Sequence, residues 1–368
     1  MNNQNIKSLT RPEINKMKEY SPGKPIWEVQ QELGIQEVVK LSSNENSLGV
    51  SPLAKKAIAK YTSELHRYPD ANTTNLREAI SSHYDIHNDQ VVIGNGADEL
   101  ITLISETFLE AGDEIIVPSP SFSEYEFGAN LMGANIVRVP LTNHFHYDLR
   151  LIINTITDKT KIIYLCSPNN PTGTYIKKDD LDTFFQKLPQ NVLVVFDGAY
   201  SQYATSEDYS NGIEYVKSGK QLIIIQTFSK IYGLAGIRVG FGISSSEIIN
   251  CIHKVREPFN VNTLAQVAAE AAINDIKHVD DSRRVNEEGR NYLYNAFREM
   301  GITYVKTMSN FILVDFKVDS LSIYEQLLKK GIIVRYGGVW GLPNYLRVTI
   351  GMEAENRALI TALKEIIE

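Results

Sequence analysis

The feature that most constrains the fold is an alternation of short apolar runs with amphipathic segments between residues 91 and 243. Runs such as 161–165, 192–196 and 222–225 are nearly continuous in apolar residues and are short enough to be buried strands. The segments between them have the spacing of apolar residues that is typical of helices, and we predict one such helix over residues 121–132. Another helix is predicted before the first of these strands, over residues 74–84. Strands that are apolar on both faces and alternate with helices indicate an α/β protein with a mainly parallel sheet, covered by helices on both sides.

Three polar residues stand just beyond these predicted strands. Asn170 follows the run 161–165, Asp197 follows 192–196, and Lys230 comes shortly after 222–225. In sheets of this kind, functional groups collect at the carboxyl ends of the strands. We therefore expect the three side chains to face one crevice.

Lys230 is the most unusual of the three. It lies in Thr227-Phe-Ser-Lys230, just before a turn that contains two glycines. Lysine is rarely buried without a partner, and a buried lysine has a lowered pKa that frees its amine as a nucleophile. The alternative is an ordinary solvated loop lysine, and this stretch alone favours neither interpretation.

Composition narrows the class of protein. The chain has 368 residues, of which 43% are hydrophobic, so it is long enough for a large core and two domains. A net charge of -7 argues against nucleic acid as a partner. No apolar run reaches the roughly 20 residues of a membrane span, and the start lacks the apolar segment of a signal peptide. Because the two cysteines, Cys166 and Cys251, suit a reducing compartment, we expect a cytoplasmic protein with no membrane partner.

The pattern changes after residue 243. Helical spacing dominates from 247 to about 300, and short strands and helices alternate from there to the end, which indicates a smaller α+β domain. The last predicted helix, residues 353–367, has Leu359, Leu363, Ile366 and Ile367 on one face. We predict a large domain over residues 51–257, with residues 1–50 and 258–368 forming the small one.

The residues at the strand ends match the chemical needs of pyridoxal phosphate. This cofactor requires a lysine for its aldehyde and a carboxylate for its ring nitrogen. Lys230 offers the amine and Asp197 the carboxylate, while Tyr200 and the amide of Asn170 can hydrogen-bond the phenolic oxygen of the cofactor. We predict that Lys230, Asp197 and Tyr200 are catalytic and that all four residues bind the cofactor.

A second group suits the phosphate and the ring face of the same cofactor. The turn Gly94-Asn-Gly96 leads into a helix, where free backbone N–H groups favour an anion. A hydroxyl or a fixed guanidinium can add to this cradle, and an aromatic residue can stack on the ring. The predicted residues of this group are Ala97, Asp98, Phe122, Thr227, Ser229 and Arg238.

Other interpretations of these motifs remain open. The turn Gly94-Asn-Gly96 could belong to a nicotinamide-dependent dehydrogenase, although the third glycine of that fingerprint is missing. The chain could also be a non-catalytic protein that has kept the fold. His144 and His146 could hold a metal ion, but an exposed loop without a metal is the favoured interpretation.

The sequence resembles the fold-type-I pyridoxal-phosphate aminotransferases, and among them the histidinol-phosphate aminotransferase family, over nearly its whole length. Two departures from that family's pattern lie beside the predicted active site, where Ser47 replaces a proline and Gly198 replaces a frequent glutamate. The segments that carry the resemblance are Tyr20-Ser-Pro-Gly-Lys-Pro25, Leu41-Ser-Ser-Asn-Glu-Asn46, Arg67-Tyr-Pro-Asp70, Gly94-Asn-Gly-Ala-Asp-Glu99, Ser167-Pro-Asn-Asn-Pro-Thr-Gly-Thr174, Asp197-Gly-Ala-Tyr200, the stretch from Thr227 to Arg238, Arg256-Glu-Pro-Phe-Asn-Val-Asn262 and the stretch from Gly341 to Gly351.

The resemblance implies a seven-stranded sheet and a homodimer in which Tyr68 reaches the cofactor phosphate of the partner subunit. It implies that Arg347 holds the carboxylate of 2-oxoglutarate and that Arg347, Arg335 and Tyr20 hold the phosphate of histidinol phosphate, with Asn44 also at the substrate. The implied reaction is the transamination of these two small molecules in histidine biosynthesis. The alternatives are an aromatic amino-acid aminotransferase and a phosphothreonine decarboxylase.

Overall fold

The computed structural model describes residues 9–17 and 23–367. The strands of this part of the chain are β1 (Val39–Lys40), β2 (Val91–Gly94), β3 (Glu114–Ser119), β4 (Asn135–Pro140), β5 (Thr160–Cys166), β6 (Leu193–Asp197), β7 (Leu222–Thr227), β8 (Gly240–Ile243), β9 (Thr303–Tyr304), β10 (Phe311–Asp315), β11 (Ile332–Ile333), β12 (Arg335–Tyr336) and β13 (Tyr345–Thr349). The α-helices are α1 (Ile26–Leu33), α2 (Pro52–Tyr61), α3 (Thr74–Tyr84), α4 (Ala97–Phe108), α5 (Glu124–Met132), α6 (Leu149–Thr155), α7 (Lys178–Lys187), α8 (Ile213–Lys217), α9 (Ser246–His253), α10 (Thr263–Ile273), α11 (Ile276–Glu299), α12 (Leu321–Lys329) and α13 (Glu353–Ile367).

A seven-stranded sheet in the order β2-β8-β7-β6-β5-β3-β4 lies at the centre of the molecule. Its neighbouring strands are parallel except at β8, which runs antiparallel to both β7 and β2. The carboxyl ends of all the other strands therefore lie at one edge, where β8 begins. This arrangement confirms the predicted mainly parallel sheet of seven strands.

The two faces of this sheet are buried in separate hydrophobic clusters. Alternate residues of one strand point to opposite faces, so that on β6 Val194 joins one cluster and Val195 the other. Both side chains are fully buried. The apolar runs of the sequence are continuous because each strand packs on helices on both sides.

Helix α10 packs against helices α2 and α3, on one side of the large sheet. Its alanines Ala265, Ala268 and Ala269 are fully buried in the same cluster as Val194. Small side chains allow α10 to approach α2 and α3 closely. This hydrophobic cluster thus extends past residue 257, and the division into domains at 257 and 258 stays a prediction.

A smaller unit follows, built around an antiparallel sheet in the order β12-β13-β10-β9. Strand β1, far earlier in the chain, pairs in parallel with β11. Helix α13 contributes Leu359 and Leu363 to the core of this unit, as the sequence predicts. Ile366, in the last turn, is partly buried against the same core, whereas Ile367 is 44% exposed, so the predicted apolar face reaches Ile366 but not Ile367.

One predicted helix begins later than expected, because residues 121–123 form a connection instead of a helical turn. The Ser121 hydroxyl donates to Asn169 Oδ1 over 2.8 Å. Helix α5 begins only at Glu124, and the connection before it lies beside the cavity described below. Among the described residues, no helix is both long and apolar enough to cross a membrane.

Candidate active site

A cavity of about 780 Å³ opens at the carboxyl edge of the large sheet, between that sheet and the smaller unit. It brings together Asn170, Asp197 and Lys230, as the strand-end argument predicts. The predicted site residues that line it are Asn44, Ala97, Asp98, Phe122, Asn170, Asp197, Tyr200, Thr227, Ser229, Lys230, Arg238, Arg335 and Arg347.

Lys230 reaches the cavity from the turn that follows β7. Its side chain is half-buried, and Nζ donates to the carbonyl oxygen of Ser43 over 3.1 Å. The same nitrogen lies 5.8 Å from the centre of the Tyr200 ring. Burial, followed by the positive charge of Arg347, lowers the pKa of Lys230 to about 8. A larger fraction of this amine than of an ordinary lysine is therefore uncharged near neutral pH and available as a nucleophile or base.

Asp197 ends β6 and is buried, with 4% of its surface exposed. Its Oδ2 accepts a hydrogen bond of 2.6 Å from the Tyr125 hydroxyl, and its Oδ1 accepts one of 2.9 Å from the Ala199 N–H. Burial raises the pKa of Asp197 to about 6 despite these two donors. A cation placed beside this carboxylate would favour its charged form.

Asn44 holds the Tyr200 hydroxyl. Its Nδ2 donates to the Tyr200 oxygen over 2.9 Å, and its Oδ1 accepts from the Thr349 hydroxyl over 3.2 Å. The backbone of Asn44 is left-handed, with φ of 55°, a conformation that asparagine tolerates better than most residues. Burial raises the pKa of Tyr200, which keeps the phenol protonated and able to donate.

The phosphate end of the cavity is built by the first turn of α4. Gly96 has φ of +90°, and a Cβ at this position would lie 2.7 Å from Arg238 Nη2. That nitrogen of Arg238 lies 3.0 Å from Asp98 Oδ2. The N-terminus of α4, the Arg238 guanidinium and the nearby hydroxyls of Thr227 and Ser229 together form an anion-binding corner.

Two arginines face the cavity from the small antiparallel sheet. Arg335 of β12 and Arg347 of β13 stand directly opposite each other in the register of the two strands. Arg347 is buried, and its Nη1 and Nη2 donate to Asn170 Oδ1 and to the Ser42 carbonyl oxygen, each over 2.6 Å. Like charges directly opposite each other across a sheet are unfavourable. Such a pair is therefore suited to an anion that lies between the two guanidinium groups.

Two predicted residues lie outside this arrangement. Tyr20 is outside the described residues. Tyr68 is 83% exposed and stacks on Phe259, with 4.8 Å between the ring centres. It does not line the cavity of its own chain, and its predicted role toward a partner subunit stays a prediction.

The structure shows the contacts of Ser47 and the space around Gly198, the two residues that depart from the family pattern. The Ser47 hydroxyl donates to the Ile350 carbonyl oxygen over 3.0 Å. A Cβ at Gly198 would lie 2.5 Å from Ser201 Oγ, so Ser201 occupies the space that a larger residue at 198 needs. His144 and His146 lie in an exposed turn, and in residues 9–17 and 23–367 no group of three or more His, Cys, Asp or Glu could hold a metal ion.

Sequence reasoning missed several groups at this site. The Tyr125 hydroxyl lies within a helix, and no motif marks it as the donor to Asp197. The Ser42 and Ser43 carbonyls are backbone atoms, which carry no signal of residue type. Trp340 lies 5.1 Å from the Arg347 guanidinium and lines the cavity. Its closeness to Arg347 in the sequence could have suggested that Trp340 lies at the site.

These residues fit the predicted cofactor. The anion-binding corner suits a phosphate, and the half-buried amine of Lys230 suits an aldehyde. The buried carboxylate of Asp197, with its raised pKa, suits a protonated ring nitrogen. Phe122 lines the cavity close to Asp197 through its edge-to-face contact with Tyr125, at 5.6 Å between ring centres. The roles of the individual residues stay predictions.

Comparison with known proteins gives a consistent result. The family model for aminotransferase class I and II matches residues 36–363. A histidinol-phosphate aminotransferase of Moorella thermoacetica is 49% identical over 358 residues, which are 97% of this chain and 92% of that protein. Another, from Caldicellulosiruptor saccharolyticus, is 43% identical over 98% of this chain and all of its own length. The crystal structure of histidinol-phosphate aminotransferase from Sinorhizobium meliloti in complex with pyridoxal-5'-phosphate has a TM-score of 0.91 and 26% identity, covering 98% of both chains.

Proposed function

This chain belongs to the aminotransferase class I and II family, and we propose that it transfers the amino group of L-histidinol phosphate to 2-oxoglutarate with pyridoxal phosphate as cofactor. Relatives that are 49% and 43% identical over nearly the whole chain carry the name of that enzyme. The observation that carries the substrate choice is the pair Arg335 and Arg347, which share one cavity with Lys230 and Asp197. Histidinol phosphate and 2-oxoglutarate are both anions that two guanidinium groups can hold.

The cofactor, when bound, supplies an aldehyde that combines with amines and a ring that accepts electrons from the substrate carbon. The amine of Lys230 would hold that aldehyde. The freed amine of Lys230, whose pKa is about 8, then acts as the base that takes the proton from the substrate carbon and later returns it. A base with a pKa close to the working pH is well suited to both transfers.

Asp197 keeps the ring nitrogen protonated. Its two donors, Tyr125 and the Ala199 N–H, fix the direction of the carboxylate within the buried end of the cavity. A positive ring nitrogen would offset the cost of burying the carboxylate charge. Tyr200, whose hydroxyl oxygen accepts a hydrogen bond from Asn44, would donate to the phenolic oxygen of the cofactor.

The two arginines orient the substrates. The hydrogen bonds of Arg347 to Asn170 and to Ser42 fix its guanidinium next to the cofactor side of the cavity. In one half of the reaction it holds a carboxylate of 2-oxoglutarate. In the other half it holds the phosphate of histidinol phosphate together with Arg335, and we propose that Tyr20 does so as well.

The proposal includes a homodimer in the cytoplasm. Tyr68 is largely exposed and stacked on Phe259, which suits a tyrosine that reaches the phosphate in the site of a second copy. Its own cavity lacks this contact. Size measurement of the purified protein in solution tests the dimer.

The test of the reaction compares substrates on the wild-type enzyme. We expect kcat/KM for histidinol phosphate to exceed that for phenylalanine by at least about 100-fold, because Arg335 and Arg347 are each proposed to donate a charged hydrogen bond to the phosphate, and each such bond adds about 1.5–3 kcal/mol. Histidinol without its phosphate is the matched control and should react as poorly as phenylalanine.

Three results would contradict the proposal. A preference for phenylalanine would identify an aromatic amino-acid aminotransferase, since pocket shape separates two similar rings by only about 1–3 kcal/mol. Release of carbon dioxide from phosphothreonine would identify a decarboxylase. A purified protein that gains no Schiff-base absorbance with pyridoxal phosphate would be no enzyme of this class.

A further inference from the structure

We propose that Glu99, Asn260 and Arg256 form a positioning network that holds two phosphate-binding segments at once: the turn 94–98 of this subunit and the Tyr68 loop that serves the partner. The inference rests on the proposed function, because it needs the cofactor phosphate and the dimer. It goes beyond that function in coupling the two sites of the dimer through named side chains.

The first end of the network closes the phosphate-binding turn. Glu99 lies in the first turn of α4, and its Oε2 accepts a hydrogen bond of 2.5 Å from the Asn95 N–H. Within the same turn, the Gly96 N–H donates to the Gly94 carbonyl over 2.9 Å. The Glu99 carboxylate thus fixes the backbone just before Ala97 and Asp98, which line the cavity at the predicted phosphate site.

Asn260 is the central member. Its Nδ2 donates to the same Glu99 oxygen over 2.6 Å, and its Oδ1 accepts from Arg256 Nη1 over 2.7 Å. The side chain also reaches the Ile93 carbonyl, over 3.4 Å, at the end of β2. Asn260 therefore uses both ends of its amide to link a carboxylate of one segment to a guanidinium of another.

Arg256 carries the network to the tyrosine loop. Its Nη2 donates to the Ala71 carbonyl over 3.0 Å, three residues beyond Tyr68. Its Nε donates to His253 Nδ1 over 3.3 Å. Burial, with help from Arg256, lowers the pKa of His253 to about 4, so this ring is neutral and can accept. The guanidinium is held on three sides and is half-buried, which makes it a rigid support for the loop.

Tyr68 itself rests on the residue next to Asn260. Its ring stacks on Phe259 at 4.8 Å with an angle of 28° between the planes. Phe259 has φ of 61°, a strained conformation for a bulky residue that persists only where its surroundings impose it. Gln266 supports the same loop, since its Nε2 donates to the Asp70 carbonyl over 3.0 Å. The orientation of Tyr68 thus depends on the segment that Arg256 and Asn260 anchor.

The consequence is a physical link between sites. In the proposed dimer, one network determines how well a subunit holds its own cofactor phosphate and how well it holds that of its partner. Loosening the network should weaken cofactor binding in both places, whereas a residue that only stabilises its own fold would affect one subunit.

The first experiment measures the cofactor Kd of the full-length apoprotein from its Schiff-base absorbance. We expect Asn260→Ala to raise the Kd about tenfold, since hydrogen bonds to charged groups are lost at both ends of the side chain. Glu99→Gln keeps one acceptor and should have a smaller effect. The matched control is Asn274→Ala, which removes an exposed side chain whose Nδ2 donates only to the Glu270 carbonyl, and should leave the Kd unchanged. A Kd for Asn260→Ala equal to that of the control overturns the proposal.

The second experiment separates the two subunits in mixed dimers with different affinity tags. One subunit is wild-type, and the other carries Lys230→Ala, so that only the wild-type subunit forms a Schiff base. Adding Asn260→Ala to the Lys230→Ala subunit leaves the competent site with its own turn intact and alters only the Tyr68 loop that serves it. We expect the Kd of the competent site to rise several-fold relative to the mixed dimer without Asn260→Ala.

An unchanged Kd in this mixed dimer would overturn the coupling, even if the single variant shows its effect in a uniform dimer. Thermal unfolding of the apoprotein shows whether Asn260→Ala disturbs the fold. If it does, the Glu99→Gln subunit replaces it in the same mixed dimer and must produce a rise that is smaller but still exceeds that of the Asn274→Ala control. Failure of tagged subunits to form any mixed dimer would overturn the dimer of the proposed function, a result distinct from an unchanged Kd.

Discussion

The carboxyl edge of the large sheet and the small antiparallel sheet form opposite walls of the same cavity, and they are built in different ways. On the large sheet, Asp197 is the last residue of β6 and Lys230 lies in the turn just after β7, positions that short stretches of sequence determine. On the small sheet, Arg335 and Arg347 meet only through the register of β12 and β13. The wall that carries the proposed chemistry is therefore local in origin, and the wall that selects the substrate depends on long-range pairing.

The two walls are joined by one short segment. The consecutive carbonyls of Ser42 and Ser43 accept hydrogen bonds from Arg347 and Lys230, respectively. Asn44, the next residue, holds Tyr200 and accepts from Thr349. Residues 42–44 thus fix the distance between the group proposed to react and the group proposed to bind. We therefore expect that the chemistry and the specificity can be altered separately, except through this segment and the charges on either side of it.

The largest effect is expected from the wall of the large sheet. Lys230→Ala should lower kcat by roughly 10²- to 10⁴-fold or more, because it removes both the amine that holds the cofactor and the proposed base. The measurement is single-turnover transamination, together with the loss of the Schiff-base absorbance band. Lys230→Arg is the control for charge and should be equally inactive. Normal turnover by Lys230→Ala, with an intact Schiff-base absorbance band, would contradict the proposed role of Lys230.

The next effect tests whether the other wall acts on binding alone. Arg335→Gln should lower kcat/KM for histidinol phosphate about 10- to 100-fold, because one charged hydrogen-bond donor to the phosphate is lost. The Schiff-base absorbance and the slow reaction with phenylalanine should stay as in the wild type. An equal loss with both substrates would mean that Arg335 supports the site as a whole, and the division between the walls would fail.

A third prediction concerns the effect that the positive charge of Arg347, on one wall of the cavity, has on Lys230 on the other wall. Because the pKa of Lys230 is lowered from 10.5 to about 8, the rate at which the apoprotein reacts with pyridoxal phosphate should rise with pH around a midpoint of about 8. Arg347 is the main charge that lowers this pKa. Arg347→Gln should therefore move the midpoint to higher pH, and an unmoved midpoint would show that burial alone sets it.

The lowered pKa of Lys230 also makes the stability of the apoprotein depend on pH. Between about pH 8 and 10.5 the unfolded chain holds the Lys230 proton while the folded apoprotein has released it. The unfolded state then binds more protons, so this group makes the stability of the apoprotein rise with pH across that window. Urea unfolding of the wild type and of Lys230→Met at several pH values isolates the contribution of the lysine.

The smallest effect is expected at Ser47, outside both walls. Its hydroxyl donates to the Ile350 carbonyl over 3.0 Å, and Ser47→Ala should lower the free energy of unfolding by about 0.5–1.5 kcal/mol. The exposed helical residue Ser82 provides the control, since Ser82→Ala should leave stability unchanged or slightly raised. A change in kcat/KM at Ser47 larger than about twofold would instead place this residue in the substrate site.

The fold was predictable where the pattern of the sequence is periodic. The helix expected from Thr74 to Tyr84 has those ends in the structure. Its apolar residues Leu76 and Ile80 are four positions apart and are buried on one face of the helix. The helix expected from 121 begins at Glu124, since the hydrogen bond between Ser121 and Asn169 takes the first residues away from the helix. Such a contact joins segments almost fifty residues apart and leaves no local pattern.

The candidate site likewise has a part that was predictable from the sequence and a part that was not. The sequence alone determined that Asn170, Asp197 and Lys230 share a crevice, because parallel strands bring their carboxyl ends to one edge whatever the details of packing. Only the tertiary structure decided that Tyr125 donates to Asp197 and that the Ser43 carbonyl accepts from Lys230. It alone decided, too, that Arg335 stands opposite Arg347. These contacts depend on the docking of helices and of a second sheet, which is set by the fit of side chains far apart in the chain, and no spacing of residues along the chain encodes that fit.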